Sequence, residues 1–65
     1  MNWDQIAGTW KQMKGKAVAK WGDITDDDWD RIKGQREQMV GYVQKQYGKT
    51  REIAEREVND WMKGL

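Results

Sequence analysis

The sequence predicts an all-α protein, a small bundle of three amphipathic helices in which the first two are copies of one 26-residue pattern. Three observations lead there. Apolar residues recur at intervals of three and four from end to end, no proline interrupts them, and shifting the chain by 26 residues lays its first helix on its second.

The first stripe runs Trp3, Ile6, Ala7, Trp10, Met13, Ala17, Val18 and Trp21, which sets a helix over residues 3–21. Gly22 follows and suits the left-handed position beyond a helix end, with Lys20 favourably placed in the last turn. Thr25 then precedes Asp26, Asp27 and Asp28, an N-cap with carboxylates in the first turn, and opens a helix over 26–47. Its stripe is Trp29, Ile32, Arg36, Met39, Val40, Val43 and Tyr47, closed by Gly48. Thr50 caps a third helix over 51–63, with Ile53, Ala54, Val58, Trp61 and Met62 on its stripe. The three helices are expected to make one domain over residues 1–65.

Under the 26-residue shift Trp3, Ile6, Gly8, Trp10, Met13, Gly15, Ala17, Trp21 and Gly22 fall on Trp29, Ile32, Gly34, Arg36, Met39, Gly41, Val43, Tyr47 and Gly48. Within each copy the glycines recur every seven residues, so Gly8 and Gly15 share one side of the first helix, and Gly34 and Gly41 one side of the second. Each costs roughly 1 kcal/mol against alanine inside a helix. Three physical readings follow: the glycines admit another backbone closely, they bend the helices and divide the bundle into four or five pieces, or they are tolerated flexibility that the fold does not use.

With 65 residues the chain buries only roughly 60% of its unfolded surface, so its stability is modest. It contains no Cys and no His, which removes disulfides, thiolate and imidazole metal sites, and the commonest general base and nucleophile. Nor does it contain Ser. No catalytic residue and no cofactor is therefore expected. The formal charge of +1 gives no overall field, yet basic helices flank an acidic turn: residues 1–22 carry four lysines against Asp4, and residues 23–30 carry five aspartates and no cation. No apolar run is long enough for a membrane span, and the N-terminus lacks a basic segment followed by an apolar core, which points to the cytoplasm.

The five tryptophans all lie on stripes, and in a chain with no Phe and one Leu they read as core rather than as a binding surface. Met13, Met39 and Met62 read the same way. The cluster Asp23, Asp26, Asp27, Asp28 and Asp30 lacks the central Gly and distal Glu of a calcium loop, so capping explains it and no metal is expected. The candidates for anion or nucleic-acid contact are Lys11, Lys14, Lys16, Lys20, Arg31, Lys33, Lys49 and Arg51. Lys49 and Arg51 flank Thr50 just after Gly48, where a glycine turn enters a helix N-terminus and points N–H groups outward. Arg36, standing where the repeat has Trp10, is expected over a Trp face or at the stripe's wet edge.

Gly8-x-Trp10-Lys11-Gln12-x-Lys14-Gly15-Lys16, then Trp21-Gly22-x-x-Thr25-Asp26-Asp27-Asp28, Gly34, Gly41, Gln44, Tyr47-Gly48 and Ala54-Glu55-x-Glu57-Val58-x-x-Trp61 together resemble the CsbD-like family of small bacterial general stress-response proteins. The resemblance covers essentially the whole chain. It implies a compact fold of about four helical pieces, sometimes grouped with helix-hairpin-helix arrays, a bacterial cytoplasm under stress, and no catalytic residues. A DNA-binding hairpin uses a basic glycine-rich turn, and the first turn here is rich in Asp instead. The expected function is accordingly a non-catalytic stress-response protein acting by contact or abundance, with weak nucleic-acid binding and hydrophilic protection against drying or heat as the alternatives.

Overall fold

A computed structural model describes residues 1–65. The chain forms five helices: α1 (Trp3–Gly8), α2 (Trp10–Lys20), α3 (Asp26–Ile32), α4 (Arg36–Tyr47) and α5 (Arg51–Lys63). The radius of gyration is 10.6 Å, close to the roughly 11 Å of a compact chain this long.

Both long helices expected from the stripes are divided. The helix expected over 3–21 breaks at Thr9, whose φ of −119° and ψ of 33° leave the helical region. There the Thr9 hydroxyl donates to the Gln5 carbonyl at 2.9 Å, a side-chain bond that competes with the backbone ladder beside a flexible glycine. The helix expected over 26–47 breaks between Ile32 and Arg36, where Lys33 and Gly34 are both left-handed, with φ of 55° and 71°. For Lys33 that conformation costs about 1–2 kcal/mol, so something outside the segment must impose it. The 26-residue offset carries the start of α2 onto the start of α4, whereas Trp3 opens α1 and its counterpart Trp29 lies inside α3.

What imposes the second break is α1. A Cβ built on Gly34 would lie 3.3 Å from the Ala7 Cβ, and the Trp3 indole donates to the Gly34 carbonyl at 2.8 Å. Close backbone approach therefore operates at Gly34 alone among the four interior glycines. A Cβ on Gly8, Gly15 or Gly41 would meet nothing within 4 Å.

The caps explain where the helices start. Asn2 and Gln5 form a capping box at α1, a signal missed in the sequence, and Thr25 and Asp28 form another at α3, with bonds of 3.1 and 3.2 Å. Thr50 caps α5 by accepting from the Ile53 N–H at 3.3 Å. At the other ends, Gly48 is left-handed as expected (φ 64°), but Gly22 is not. Trp21 ends α2 instead at ψ of 82°, because its side chain turns into the core and the following turn carries Ile24 inward as well.

Fourteen buried side chains, all apolar, draw on every helix. Four are tryptophans, and Trp3 packs half-buried against them. The five indoles touch in an unbroken series. Trp29 stacks on Trp10 with centroids 3.6 Å apart, Trp10 meets Trp3 at 5.8 Å, Trp3 meets Trp61 at 6.4 Å, and Trp61 meets Trp21 at 5.5 Å. A buried indole N–H needs an acceptor, and each of the five has one in another element. Trp10 and Trp29 exchange bonds with one another's carbonyls at 2.8 and 2.6 Å; Trp61 donates to the Lys16 carbonyl and Trp21 to the Glu57 carboxylate, both at 3.3 Å. Tryptophan here is both filler and tie. Ile53, placed on the α5 stripe by its spacing, is instead 41% exposed, since it sits in the first turn of α5, beyond the core's edge.

Candidate functional site

The eight basic residues singled out by sequence stand on α2 (Lys11, Lys14, Lys16 and Lys20), at the end of α3 and the break after it (Arg31 and Lys33), and at the turn into α5 (Lys49 and Arg51). On α2 the buried face is Trp10, Met13 and Ala17, and the helical period puts Lys11 and Lys14 on one flank of it and Lys16 and Lys20 on the other. The outward centre between the flanks is occupied by Gly15, Gln12 and Ala19, all exposed. Lys14 reaches across to Asp26 at the start of α3, and Lys20 stands 5.7 Å from the centroid of the Trp21 ring. Lys11 and Lys16 project into solvent without an ion pair.

Lys49 and Arg51, at the glycine turn, face acidic partners of the chain itself. The Arg51 guanidinium clasps Glu37 at 2.7 and 2.8 Å and meets Glu55 at 2.8 Å, joining the first turns of α4 and α5. This hydrogen-bonded cation holds the Glu37 carboxyl below the usual carboxylate range. Lys49 lies 3.8 Å from Glu57, the same carboxylate that accepts from Trp21. The charges that were read as available to an external anion are thus shared with the fold. Arg36 likewise serves the fold: it donates to the Asn59 side chain at 2.6 Å, tying α4 to α5 from a half-buried position at the stripe's edge.

Of the five aspartates around α3, Asp28 completes its capping box, Asp26 pairs with Lys14 and Asp27 stands in its first turn, and no three acidic side chains converge into a group that would hold a metal ion. No helix is long and apolar enough to cross a membrane. Lys33 is exposed at the break before α4, while Arg31 lines a groove between α3 and α4. That groove has a volume of about 410 Å³ and was not legible in sequence, because its two walls come from helices whose facing is set only by the turn at Lys33 and Gly34.

Comparison with known proteins gives a consistent assignment. The CsbD-like family model matches residues 4–56. A UPF0337 protein of Pectobacterium atrosepticum is 54% identical over 61 residues, covering 94% of this chain and 88% of the relative. The UPF0337 protein YjbJ of Escherichia coli K12 is 51% identical with the same coverage, and a UPF0337 protein of Bordetella pertussis is 51% identical over 94% of this chain and 92% of its own. No solved structure matches the chain. With a family model spanning most of its length and relatives at half identity across nearly all of it, the chain belongs to the CsbD-like family.

Proposed function

We propose that this chain is a non-catalytic bacterial stress-response protein, a single domain built on a repeated Trp/Gly unit, acting in the cytoplasm by contact or by abundance. Membership of the CsbD-like family carries the reading. The chemistry of the chain agrees with it: the tryptophans pack in or against the core, and three ion pairs join one element to another. The two modes of action separate in a strain lacking the gene. Wild-type protein and a variant with Lys11, Lys16 and Lys20 changed to Gln are expressed at equal level, and survival of stationary phase, drying and heat is measured. Action by abundance, as a hydrophilic protectant, predicts equal rescue; action by contact predicts that the variant fails. A deletion strain that survives every stress as well as its parent would contradict both.

A second reading, weak binding to nucleic acid, is favoured by one observation: Lys11 and Lys16 are exposed and unpaired on a helix that carries no acidic residue. Titration of Trp fluorescence with single- and double-stranded DNA and with RNA tests it. Binding through phosphates predicts an affinity that falls steeply with salt, and an affinity indifferent to salt would rule this mode out.

A further inference from the structure

The groove between α3 and α4 is built from two facing sets of helical neighbours. Asp28, Arg31 and Ile32 form the α3 wall at spacings of three and one. On α4, Gln38, Gly41 and Lys45 recur at three and four and so share a face, with Tyr42 beside them. The space exists because position 41 has no side chain. A Cβ there would meet nothing within 4 Å, although the helix loses stability by carrying glycine.

The polar groups of the groove are unevenly occupied. Asp28 already accepts from the Thr25 N–H as part of the α3 cap. Arg31 and Lys45, by contrast, take part in none of the chain's ion pairs, which leaves two uncommitted cations beside one committed carboxylate. The Tyr42 hydroxyl is buried and finds no acceptor in the chain. Such a group is rare in folded proteins and wants a partner. Burial, followed by the charge of Asp28, pushes its pKa up to about 12, so it stays a protonated donor at physiological pH. The side-chain amides of Gln38 and Gln46 complete a lining in which polar groups share the surface with the apolar faces of Ile32 and Tyr42.

We propose that this groove is a binding site for a small hydrophilic organic oxyanion, a phosphate or carboxylate compound, held over Gly41 between Arg31 and Lys45. The two cations receive the anionic group, and the amides of Gln38 and Gln46 meet polar atoms of the remainder. A groove of about 410 Å³ is within the range of small-molecule sites. This assignment is independent of whether the protein acts by contact or by abundance, since it concerns a different face from the α2 lysines.

Two-dimensional amide NMR of the full chain tests the site, with glucose 6-phosphate, glutamate and inorganic phosphate as separate probes at constant ionic strength. The expected result is a saturable shift of the Arg31, Gly41 and Tyr42 amides with at least one probe. Response to glucose 6-phosphate alone assigns an organic phosphate, response to glutamate alone a carboxylate, and response to all three a site for the anion itself. Arg31→Gln and Lys45→Gln, both at exposed positions, are each expected to weaken binding roughly tenfold, the loss of one charge-assisted hydrogen bond. Gly41→Leu fills the groove and is expected to abolish the shifts while the five indole N–H signals stay in place. No saturable shift with any probe would overturn the proposal. So would shifts that persist in Arg31→Gln and Lys45→Gln, or that appear equally at Lys11 and Lys16, since those report general surface charge.

Discussion

The tryptophans and the interior glycines belong to one repeated pattern in the sequence but come to rest in different parts of the molecule. The indoles join end to end through the core, each with its N–H fixed in another element. Gly15 and Gly41 stand exposed in mid-helix with open space where a Cβ would be. Only Gly34 belongs to both worlds, pressed against Ala7 and left-handed. A shared period in sequence therefore hides two unrelated demands: one side of each helix is specified by packing, while the other is under no packing demand from within the chain.

The largest test of that contrast is to remove the stack at its centre. Trp29→Ala is expected to cost about 3–5 kcal/mol in urea unfolding, most of the stability that a domain of this size holds, and it also removes the indole N–H that donates to the Trp10 carbonyl. Because the two residues share contacts and bonds, a Trp10→Ala, Trp29→Ala double variant should lose much less than the sum of the singles. Additive losses would mean that the stack is incidental.

Next in size is Gly34→Ala. The left-handed backbone costs an L-residue about 1–2 kcal/mol, and the new Cβ at 3.3 Å from Ala7 adds to it. The loss should shrink when Ala7 is changed to Gly. A neutral or stabilising result would show that α1 is not seated against this break.

Thr25→Ala removes the hydroxyl half of the α3 capping box and is expected to cost about 1 kcal/mol. Thermal melts would register it, and Thr25→Ser should restore most of the loss.

The smallest effect belongs to the exposed pair of Arg51 and Glu37. Glu37 is held below its unfolded value, so its contribution is present above that value and is lost as the pH falls through the lower, folded one. Wild-type stability should therefore decline below about pH 4–5 more than that of Glu37→Gln. High salt should close the gap between them. A gap that survives 1 M salt, where screening acts within roughly 3 Å, would place the pair in a drier setting than its exposure implies.

Sequence carried the class of fold, the five tryptophans as core and the two threonine caps, because period and cap are local properties. It left both helix breaks unplaced. Four glycines qualified as bends on local grounds, and the choice of Thr9 and of Lys33 with Gly34 depends on a hydroxyl turning back on Gln5 and on α1 docking through Ala7 against Gly34. Ile24 escaped notice because it lies among aspartates, off any stripe, and is carried inward by the turn after Trp21. Charges on the surface were visible as charges, but Lys14 with Asp26 and Arg51 with Glu37 are pairs between elements, and no spacing along one helix announces them. The α3 and α4 groove was invisible for the same reason.

Gly15 and Gly41 have no part in holding the fold, since a Cβ at either would meet nothing within 4 Å. Urea unfolding of Gly15→Ala, Gly41→Ala and the double variant measures it directly. The prediction is a gain of roughly 1 kcal/mol at each position, adding in the double variant because the sites sit on different helices and a Cβ at either would meet no neighbour. A loss of stability at either position would contradict the claim and make these glycines part of the packing after all.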